Sequence, residues 1–372
     1  MSYLELKAVN KIYNPKGHAV HAVRDLDLAV KEGEIVALLG SSGCGKTSTL
    51  RMLAGFEEVS SGSIELNGTA IHTSPPARRG IAMAFEGYSL YPPLSVRENI
   101  AFALKASRLS TAEVDRKVAE IAHLLEIEDI LDRYPSSISG GQQQRTSLGR
   151  ALIRDAALHL LDEPMGQLEP QLRALLRGRI KHFIRERGLT TILVTHDQTE
   201  ANALADRIAV MEDGALQQFD TPERLKDHPA NLFTGTFIGE PPMNVFPAAF
   251  TNGADRLKFV LDEGVALDYP AEAFSQELRA RLGSTAPITI GVRPHAVRLS
   301  GDGLPARVSI KQWLGDQTHI AAEFAGGTIV SVAHDRTQVA EGHQIGVSIA
   351  PTDLHIFDGK SGIAISHGGE LA

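Results

Sequence analysis

Two short runs of this chain carry the residue types of phosphate chemistry. The first is Gly40-Ser41-Ser42-Gly43-Cys44-Gly45-Lys46-Thr47. Its glycines let successive backbone N–H groups turn toward one anion, and a helix starting at its end adds partial positive charge. Lys46 is placed to reach the β- and γ-phosphates of a nucleotide, and Thr47 to ligate Mg²⁺. With Ser48 next along, residues 40–48 form the expected nucleotide-binding set. The second run is Leu158-His159-Leu160-Leu161-Asp162-Glu163, an apolar strand that ends in two carboxylates. Asp162 would hold Mg²⁺ through water, and Glu163 would orient or deprotonate the attacking water. His159 reads as a packed core histidine. Cys44, the chain's one cysteine, is either a thiolate lining the nucleotide or a buried, inert side chain.

These residues need a rigid frame. Ile35 to Leu39, Leu158 to Leu161 and Thr191 to Val194 are apolar runs without alternation. Such runs suit strands covered on both faces, as in a parallel sheet flanked by helices. Leu172 to Arg187 shows helical spacing between the second and third runs. Ser110 and Glu113 have the spacing of a capping box, followed by Val114, Val118, Ile121, Leu124 and Leu125 on one helical face. The texture changes near Pro241-Pro242. Beyond it, short strands are predicted at Ile288–Val292, Arg307–Ile310, His319–Phe324, Thr328–Ala333, Gln344–Ala350 and Leu354–Phe357. Their spacing suggests a small barrel or sandwich.

Composition narrows the function. The 372 residues allow two domains, and 43% are hydrophobic, enough for a sizeable core. Lys and Arg total 37 against 45 Asp and Glu, a formal net charge of −8. That argues against a nucleic-acid partner held by bulk electrostatics. A single cysteine permits no internal disulfide and fits a reducing compartment. The start, with Glu5 and Lys7, lacks the apolar core of a signal peptide. No apolar run approaches the roughly 20 residues of a membrane helix, so membrane association would run through a partner.

Between the two phosphate-chemistry runs lies Ser137-Ile138-Ser139-Gly140-Gly141-Gln142-Gln143-Gln144-Arg145. It resembles the signature sequence of ABC ATPases, with Ile138 where Leu is usual. The resemblance covers the whole chain, and further landmarks follow in order. Tyr13 matches the aromatic residue that stacks on adenine. Glu86 stands where the family has the Q-loop glutamine, near nucleotide and metal. Gly166-Gln167-Leu168-Glu169 lies at the D-loop, with Glu169 one methylene longer than the usual Asp. His196 matches the switch histidine and, with Glu163 and Lys46, completes the catalytic set that the resemblance implies. It also implies that Ser139, Gly140, Gly141 and Gln142 close over ATP bound to a second subunit. Glu86, an acceptor only when ionised, either faces the metal site or points toward a permease.

The tail resembles the accessory barrel of ATPase subunits from maltose and glycerol phosphate importers, at Gly291-Val292-Arg293-Pro294, Trp313-Leu314-Gly315 and Leu354-His355-Ile356-Phe357-Asp358. The expected architecture is therefore an α/β P-loop ATPase domain over 1–239, with a helical subdomain at about 88–155. An all-β, OB-like small barrel would follow over 240–372. The expected function is Mg²⁺-dependent ATP hydrolysis that powers import of a sugar, polyol or related solute, with polyamine or another small solute as the alternative. The implied partners are transmembrane permease subunits, a second ATPase subunit (the same or a different chain) and, indirectly, an extracytoplasmic solute-binding protein. The implied location is peripheral, on the cytoplasmic face of the cell membrane. Tyr88 and Tyr91 are candidates for the permease contact. Two rival readings are an ABC protein of DNA repair or translation, and a nucleotide-binding regulatory module with little turnover. The first usually shows coiled-coil insertions or two ATPase domains, neither visible here. The second is opposed by Glu163.

Overall fold

The computed structural model describes residues 2–14, 17–285 and 287–370, and the chain divides into two compact units, Met1–Pro222 and Glu223–Ala372. In the first unit the elements run β1 (Leu4–Tyr13), β2 (Val20–Val30), β3 (Ile35–Gly40), α1 (Lys46–Ala54), β4 (Ser61–Leu66), β5 (Thr69–Ala70) and β6 (Ile81–Ala84). Then come α2 (Val96–Phe102), α3 (Thr111–Leu125), α4 (Gly140–Leu152), β7 (Leu158–Asp162), α5 (Pro170–Glu186), β8 (Thr191–Val194), α6 (Gln198–Leu204), β9 (Arg207–Glu212) and β10 (Ala215–Asp220).

The central sheet has the order β10-β9-β3-β8-β7-β6. Its strands run parallel except for β10, which returns antiparallel beside β9. Every residue of β3, β7 and β8 is buried. That is the physical reason their sequences lack alternation: both faces are covered, so both must be apolar. His159 is fully buried within β7, its Nε2 3.1 Å from the Arg154 carbonyl. A second sheet, β2-β1-β4-β5, is antiparallel and has no counterpart in the sequence reading. Its strands carry bulges at several points, and these break the period-two signal.

The helices α2, α3 and α4 form the helical subdomain. Each begins with a complete capping box, Ser95/Glu98, Ser110/Glu113 and Ser139/Gln142. In each, the cap hydroxyl and the third residue's side chain satisfy two otherwise orphaned N–H groups. α3 ends at Leu125, where Glu126 takes a left-handed conformation.

The second unit holds α7 (Pro222–Asp227, whose first residue ends the first unit), α8 (Leu232–Phe237), β11 (Asn244–Asn252), β12 (Arg256–Val260), β13 (Ala266–Pro270), α9 (Gln276–Ser284) and β14 (Ile288–Val292). It continues with β15 (Arg298–Ser300), β16 (Leu304–Trp313), β17 (Thr318–Phe324), β18 (Gly327–Ala333), β19 (Gln344–Ser348), β20 (Leu354–Asp358) and β21 (Ala364–His367). Its sheets are β13-β12-β11-β14-β20-β21 and β15-β19-β16-β17-β18. β11 serves two neighbours, pairing with β14 through Asn244–Ala248 and with β12 through Ala249–Asn252. The sheets curl around one apolar core that includes Phe259, Phe274 and Ile290. The expected β-rich barrel is present, with α9 as an addition. The compact units divide at Pro222 rather than after Gly239. Arg293, just past β14, accounts for this: it donates to the carbonyls of Lys226, Gly235 and Ile238 and so ties α7 and α8 to the β unit.

Gly40, where β3 meets the phosphate loop, is a point of close approach. A Cβ there would lie 2.2 Å from the Met211 carbonyl oxygen of β9 and 2.6 Å from Cys44 Sγ. Gly40→Ala is expected to lower unfolding free energy by about 1–3 kcal/mol, the range of an overpacked core. Urea titration measures this, and an unchanged midpoint would show that the β3–β9 contact yields freely.

Candidate active site

The phosphate loop sits between the buried end of β3 and the first turn of α1. Gly43 and Gly45 have φ of 80° and 102°, a region that L side chains rarely adopt. A Cβ on Gly45 would also lie 2.4 Å from the Ala22 carbonyl. Gly45 caps α1 without a side-chain hydrogen bond, and no acidic residue occupies the helix's first turn. The N–H groups of that turn therefore have no side-chain oxygen to accept them, which is the condition for holding an anion. Lys46 is buried, and its Nζ donates to the carbonyls of Gly40 at 2.7 Å and Ser41 at 2.8 Å. Two of its three N–H donors hold the loop, and the third is turned to Cys44 Sγ at 3.6 Å, a weak acceptor that a phosphate oxygen can replace. Ser41, Ser42 and Gly43 are exposed; Thr47 and Ser48 are partly exposed.

Cys44 has a buried side chain. Its thiol is buried in the core with Leu50 and Met211, 3.6 Å from Lys46 Nζ. Tyr13, at the end of β1, bonds Ser48 Oγ through its hydroxyl at 3.2 Å, while Lys11 Nζ lies 4.7 Å from its ring centroid. The expected adenine platform thus stands beside the first turn of α1.

Asp162 ends β7 and is 6% exposed. Its Oδ1 is buried without a hydrogen-bond partner. Burial, then the charges of Glu86 and Glu163, push its carboxyl up to about 6, against the opposing pull of Arg51 and Lys46. Among the described residues no three His, Cys, Asp or Glu side chains are grouped to hold a metal directly, but a buried carboxylate oxygen with no donor, together with the partly exposed Thr47 hydroxyl, suits a hard divalent cation that keeps several waters. The residues present therefore fit Mg²⁺. Glu86 itself is exposed, yet close enough to act on Asp162. Both expected placements of Glu86, at the metal and toward a permease, are compatible with this exposure.

Glu163 follows with φ of 47°, a left-handed conformation that costs a non-glycine residue about 1–3 kcal/mol. Both carboxylate oxygens lie 3.0 Å from His196 Nδ1. Glu163 is mostly enclosed, whereas the His196 side chain is 72% exposed. The histidine can thus orient the carboxylate while its other ring nitrogen faces solvent.

The backbone strain at Glu163 is held by a residue the sequence reading missed. Gln144, buried on α4, donates from Nε2 to the Glu163 carbonyl at 2.6 Å and accepts the Gln167 N–H on Oε1 at 2.9 Å. One amide joins the signature helix, the catalytic turn and the D-loop. The available signal was a glutamine interrupting the apolar stripe that continues through Leu148 and Leu152. Arg173 of α5 adds a second tie, with Nη1 3.0 Å from Asp197 Oδ2 and Nη2 3.2 Å from the Leu168 carbonyl. Arg150, at the far end of α4, donates to the carbonyls of Ser89 and Tyr88 at 2.8 and 3.1 Å.

Ser139 and Gly140 are exposed at the start of α4, and Gly141 and Gln142 are partly exposed. Ser139 N–H donates to Gln142 Oε1 at 2.9 Å, so the expected phosphate-facing set is a preformed helix cap. It adjoins the D-loop, since a Cβ on Gly141 would stand 3.1 Å from the Gln167 carbonyl. Glu169 caps α5 without a side-chain bond, ahead of Pro170.

Comparison with known proteins agrees with this geometry. The ABC transporter family matches residues 23–166, the MalK OB fold domain residues 239–297, and the TOBE domain residues 290–357. The chain is 40% identical to a trehalose/maltose import ATP-binding protein of Thermococcus litoralis, covering 93% of this chain and 96% of the other. It is 38% identical to a xylose/arabinose import ATP-binding protein of Haloferax volcanii, covering 99% and 96%. It is 37% identical to an sn-glycerol-3-phosphate import ATP-binding protein of Rhizobium johnstonii, covering 99% and 97%. Among solved structures, a dimeric ATP-binding cassette in a post-hydrolysis state with ADP and Pi aligns at TM-score 0.54 and 26% identity. That match spans 59% of this chain and 98% of the other.

Gln144→Leu would leave the Glu163 carbonyl and the Gln167 N–H buried and unpaired, a loss of about 1–3 kcal/mol in stability. Turnover should fall while the KM for ATP changes little, because the phosphate loop is untouched. Steady-state kinetics check this, and a pure KM effect would contradict it.

Glu200 gives a pH prediction. It is buried on α6, accepts from Thr195 Oγ1 at 2.8 Å, and has Oε1 without a partner. Burial pushes its carboxyl from 4.5 up to about 7; the Thr195 bond opposes the rise, and the charges of Glu163 and Asp197 add to it. Between those two values the native chain holds a proton that the unfolded chain releases. Stability should therefore decline as pH rises through about 7. Glu200→Gln is neutral throughout, so its unfolding free energy should fall less between about pH 5 and 8. Parallel urea-derived profiles for both proteins would remove Glu200 as the source.

Proposed function

The chain belongs to the family of ATP-binding subunits of ABC importers, and from that premise we propose how its site works and what it serves. It hydrolyses ATP to power import of a solute. One observation carries the mechanism: the Glu163–His196 pair stands beside Asp162, whose Oδ1 is buried and unpartnered.

In this reading the adenine stacks on Tyr13 and the phosphates enter the loop 40–48. The N–H groups of the first turn of α1 and the third donor of Lys46 hold the β- and γ-phosphates. Asp162, through water, and the Thr47 hydroxyl would hold Mg²⁺, which would supply charge neutralisation to the phosphates when bound. Glu163 accepts the proton of the attacking water as its oxygen approaches the γ-phosphorus. His196, donating from Nδ1, fixes the carboxylate and offers its solvent-facing edge to the γ-phosphate. Ser139, Gly140, Gly141 and Gln142 close over the nucleotide of a second subunit, so that two ATP molecules lie between two chains.

Coupling to a permease has a place in the first unit. A cavity of about 670 Å³ is lined by Phe56, Phe85, Tyr91, Phe102, Leu104 and Arg150 among others. Phe56 is 54% exposed and Tyr91 42%. Single exposed aromatics are unremarkable, but several around one groove mark an interaction site. Tyr91 is the permease candidate on this geometry. Tyr88 faces the signature instead, its hydroxyl 3.4 Å from where a Cβ on Gly140 would stand. No helix among the described residues is long and apolar enough to cross a membrane. The proposed location is peripheral, at the cytoplasmic face, on the permease. The solute we propose is a sugar or polyol, as in the names of the full-length relatives.

Glu163→Gln keeps the shape and removes the base. Phosphate release should drop by about 10²-fold or more, while ATP binding persists and nucleotide-bound dimers accumulate. Release assays with gel filtration in ATP test both halves, and near-normal turnover would take Glu163 out of the chemistry.

A further inference from the structure

The second unit contains a cavity of about 420 Å³. Lys226, Arg293, His295, His334 and Gln317 line it, with Glu240 as the one carboxylate among the lining residues. The size falls at the lower end of the range for small-molecule sites, about 300–1,000 Å³.

Arg293 sets the character of this cavity. It is buried, and its Nη1 and Nη2 donate to the carbonyls of Gly235, Ile238 and Lys226, while Nε is buried without a partner. Carbonyl dipoles solvate the guanidinium, and among the described residues no carboxylate stands at ion-pair distance from it. Burial lowers its pKa to about 10, and Asp227 opposes that from beyond ion-pair distance. The group remains charged at neutral pH. A buried cation is ordinarily paired. Here no ion-pair partner is found among the described residues, and the cation lines the cavity.

The remaining walls extend the same polarity. Lys226 makes no ion pair among the described residues. His295, at the rim, is held below the ordinary imidazole value by burial, then by Lys226 and Arg293, with Asp353 and Asp227 acting oppositely. His334 is exposed at the end of β18, and Gln317 is partly exposed before β17. Two permanent cations and two imidazoles thus surround a volume edged by one carboxylate. The guanidinium fork is occupied by carbonyls, so Arg293 contributes field, and the hydrogen bonds must come from Lys226, the imidazoles and Gln317. A phosphate group answers both requirements, with up to two negative charges and three acceptor oxygens.

We propose that this cavity binds a small molecule carrying a phosphate group, contacted by Lys226, His295 and His334 in the field of Arg293.

The test is calorimetric titration of the full chain with inorganic phosphate, glucose 6-phosphate and, as the uncharged control, glucose. Each titration is repeated in Lys46→Ala, which weakens phosphate binding at the nucleotide loop, and in Lys226→Gln/His295→Gln. Both substituted positions of the double variant are exposed, and an unchanged Tm confirms its fold. The expected result is one site per chain with Kd below about 1 mM for a phosphate compound. It survives Lys46→Ala, weakens by about tenfold or more in the double variant, and does not take glucose. Tighter binding of glucose 6-phosphate identifies an organic phosphate, and equal or tighter binding of the free anion identifies inorganic phosphate; both uphold the site. Absence of binding by either compound overturns the proposal. So does binding that Lys46→Ala removes and the double variant leaves unchanged. Neither failure touches the reading of the ATPase site, which the Glu163 variant tests separately.

Discussion

The adjacent carboxylates Asp162 and Glu163 at the buried end of β7 are the constraint around which the first unit is arranged. Two negative groups at the mouth of an apolar sheet are unfavourable unless cations and donors converge on them. Lys46 and Arg51 supply positive charge from α1, and His196 supplies a donor from the turn after β8. Even so, Asp162 keeps an oxygen without a partner. The unmet demand is what the proposed metal and phosphate would answer together. It also explains why a costly left-handed residue is retained at Glu163: that conformation turns the second carboxylate toward His196 while the first remains in the strand.

Rigidity around these groups comes from side chains bonded to backbone carbonyls more than from ion pairs. Gln144, Arg150 and Arg173 tie the signature helix, the loop after β6 and the D-loop to one another. Arg79 and Arg145 act alike elsewhere in the first unit, reaching the carbonyls of Leu53 and Leu125 at 2.8 Å each. Exposed ion pairs such as Lys7–Glu65 contribute little by comparison. Carbonyl acceptors do not titrate, so these ties hold across the pH range in which Asp162 and Glu200 change charge.

The strands that carry chemistry were legible because burial on both faces writes itself as an uninterrupted apolar run. Ile35–Leu39, Leu158–Leu161 and Thr191–Val194 all became central strands, and the Ser110/Glu113 cap began a helix as read. Two classes of feature were hidden. Bulged strands such as β1 lack a clean period. Long-range polar ties such as Gln144 to Glu163 depend on distances between segments that spacing does not encode. The compact division at Pro222 was hidden for the same reason: Pro241-Pro242 is a local signal, whereas the grip of Arg293 on Lys226 spans 67 residues. Cys44 could not be settled from spacing, because a loop residue's side chain can face either the ligand or the core.

Helix α4 joins two functions that sequence separates. Its first residue follows Ser139 at the exposed signature cap, and near its other end Arg150 grips the carbonyls of Tyr88 and Ser89 beside the aromatic groove. Thirteen residues at 1.5 Å each give a rod of about 20 Å. An α-helix is nearly incompressible along its axis, so such a rod has few ways to absorb a displacement imposed at one end. A push on the cap must either tilt the rod about its midpoint packing or move the loop it grips. Gln144, one turn from the cap, is where the rod is pinned to the catalytic turn, which makes that glutamine the fulcrum and the groove the long arm.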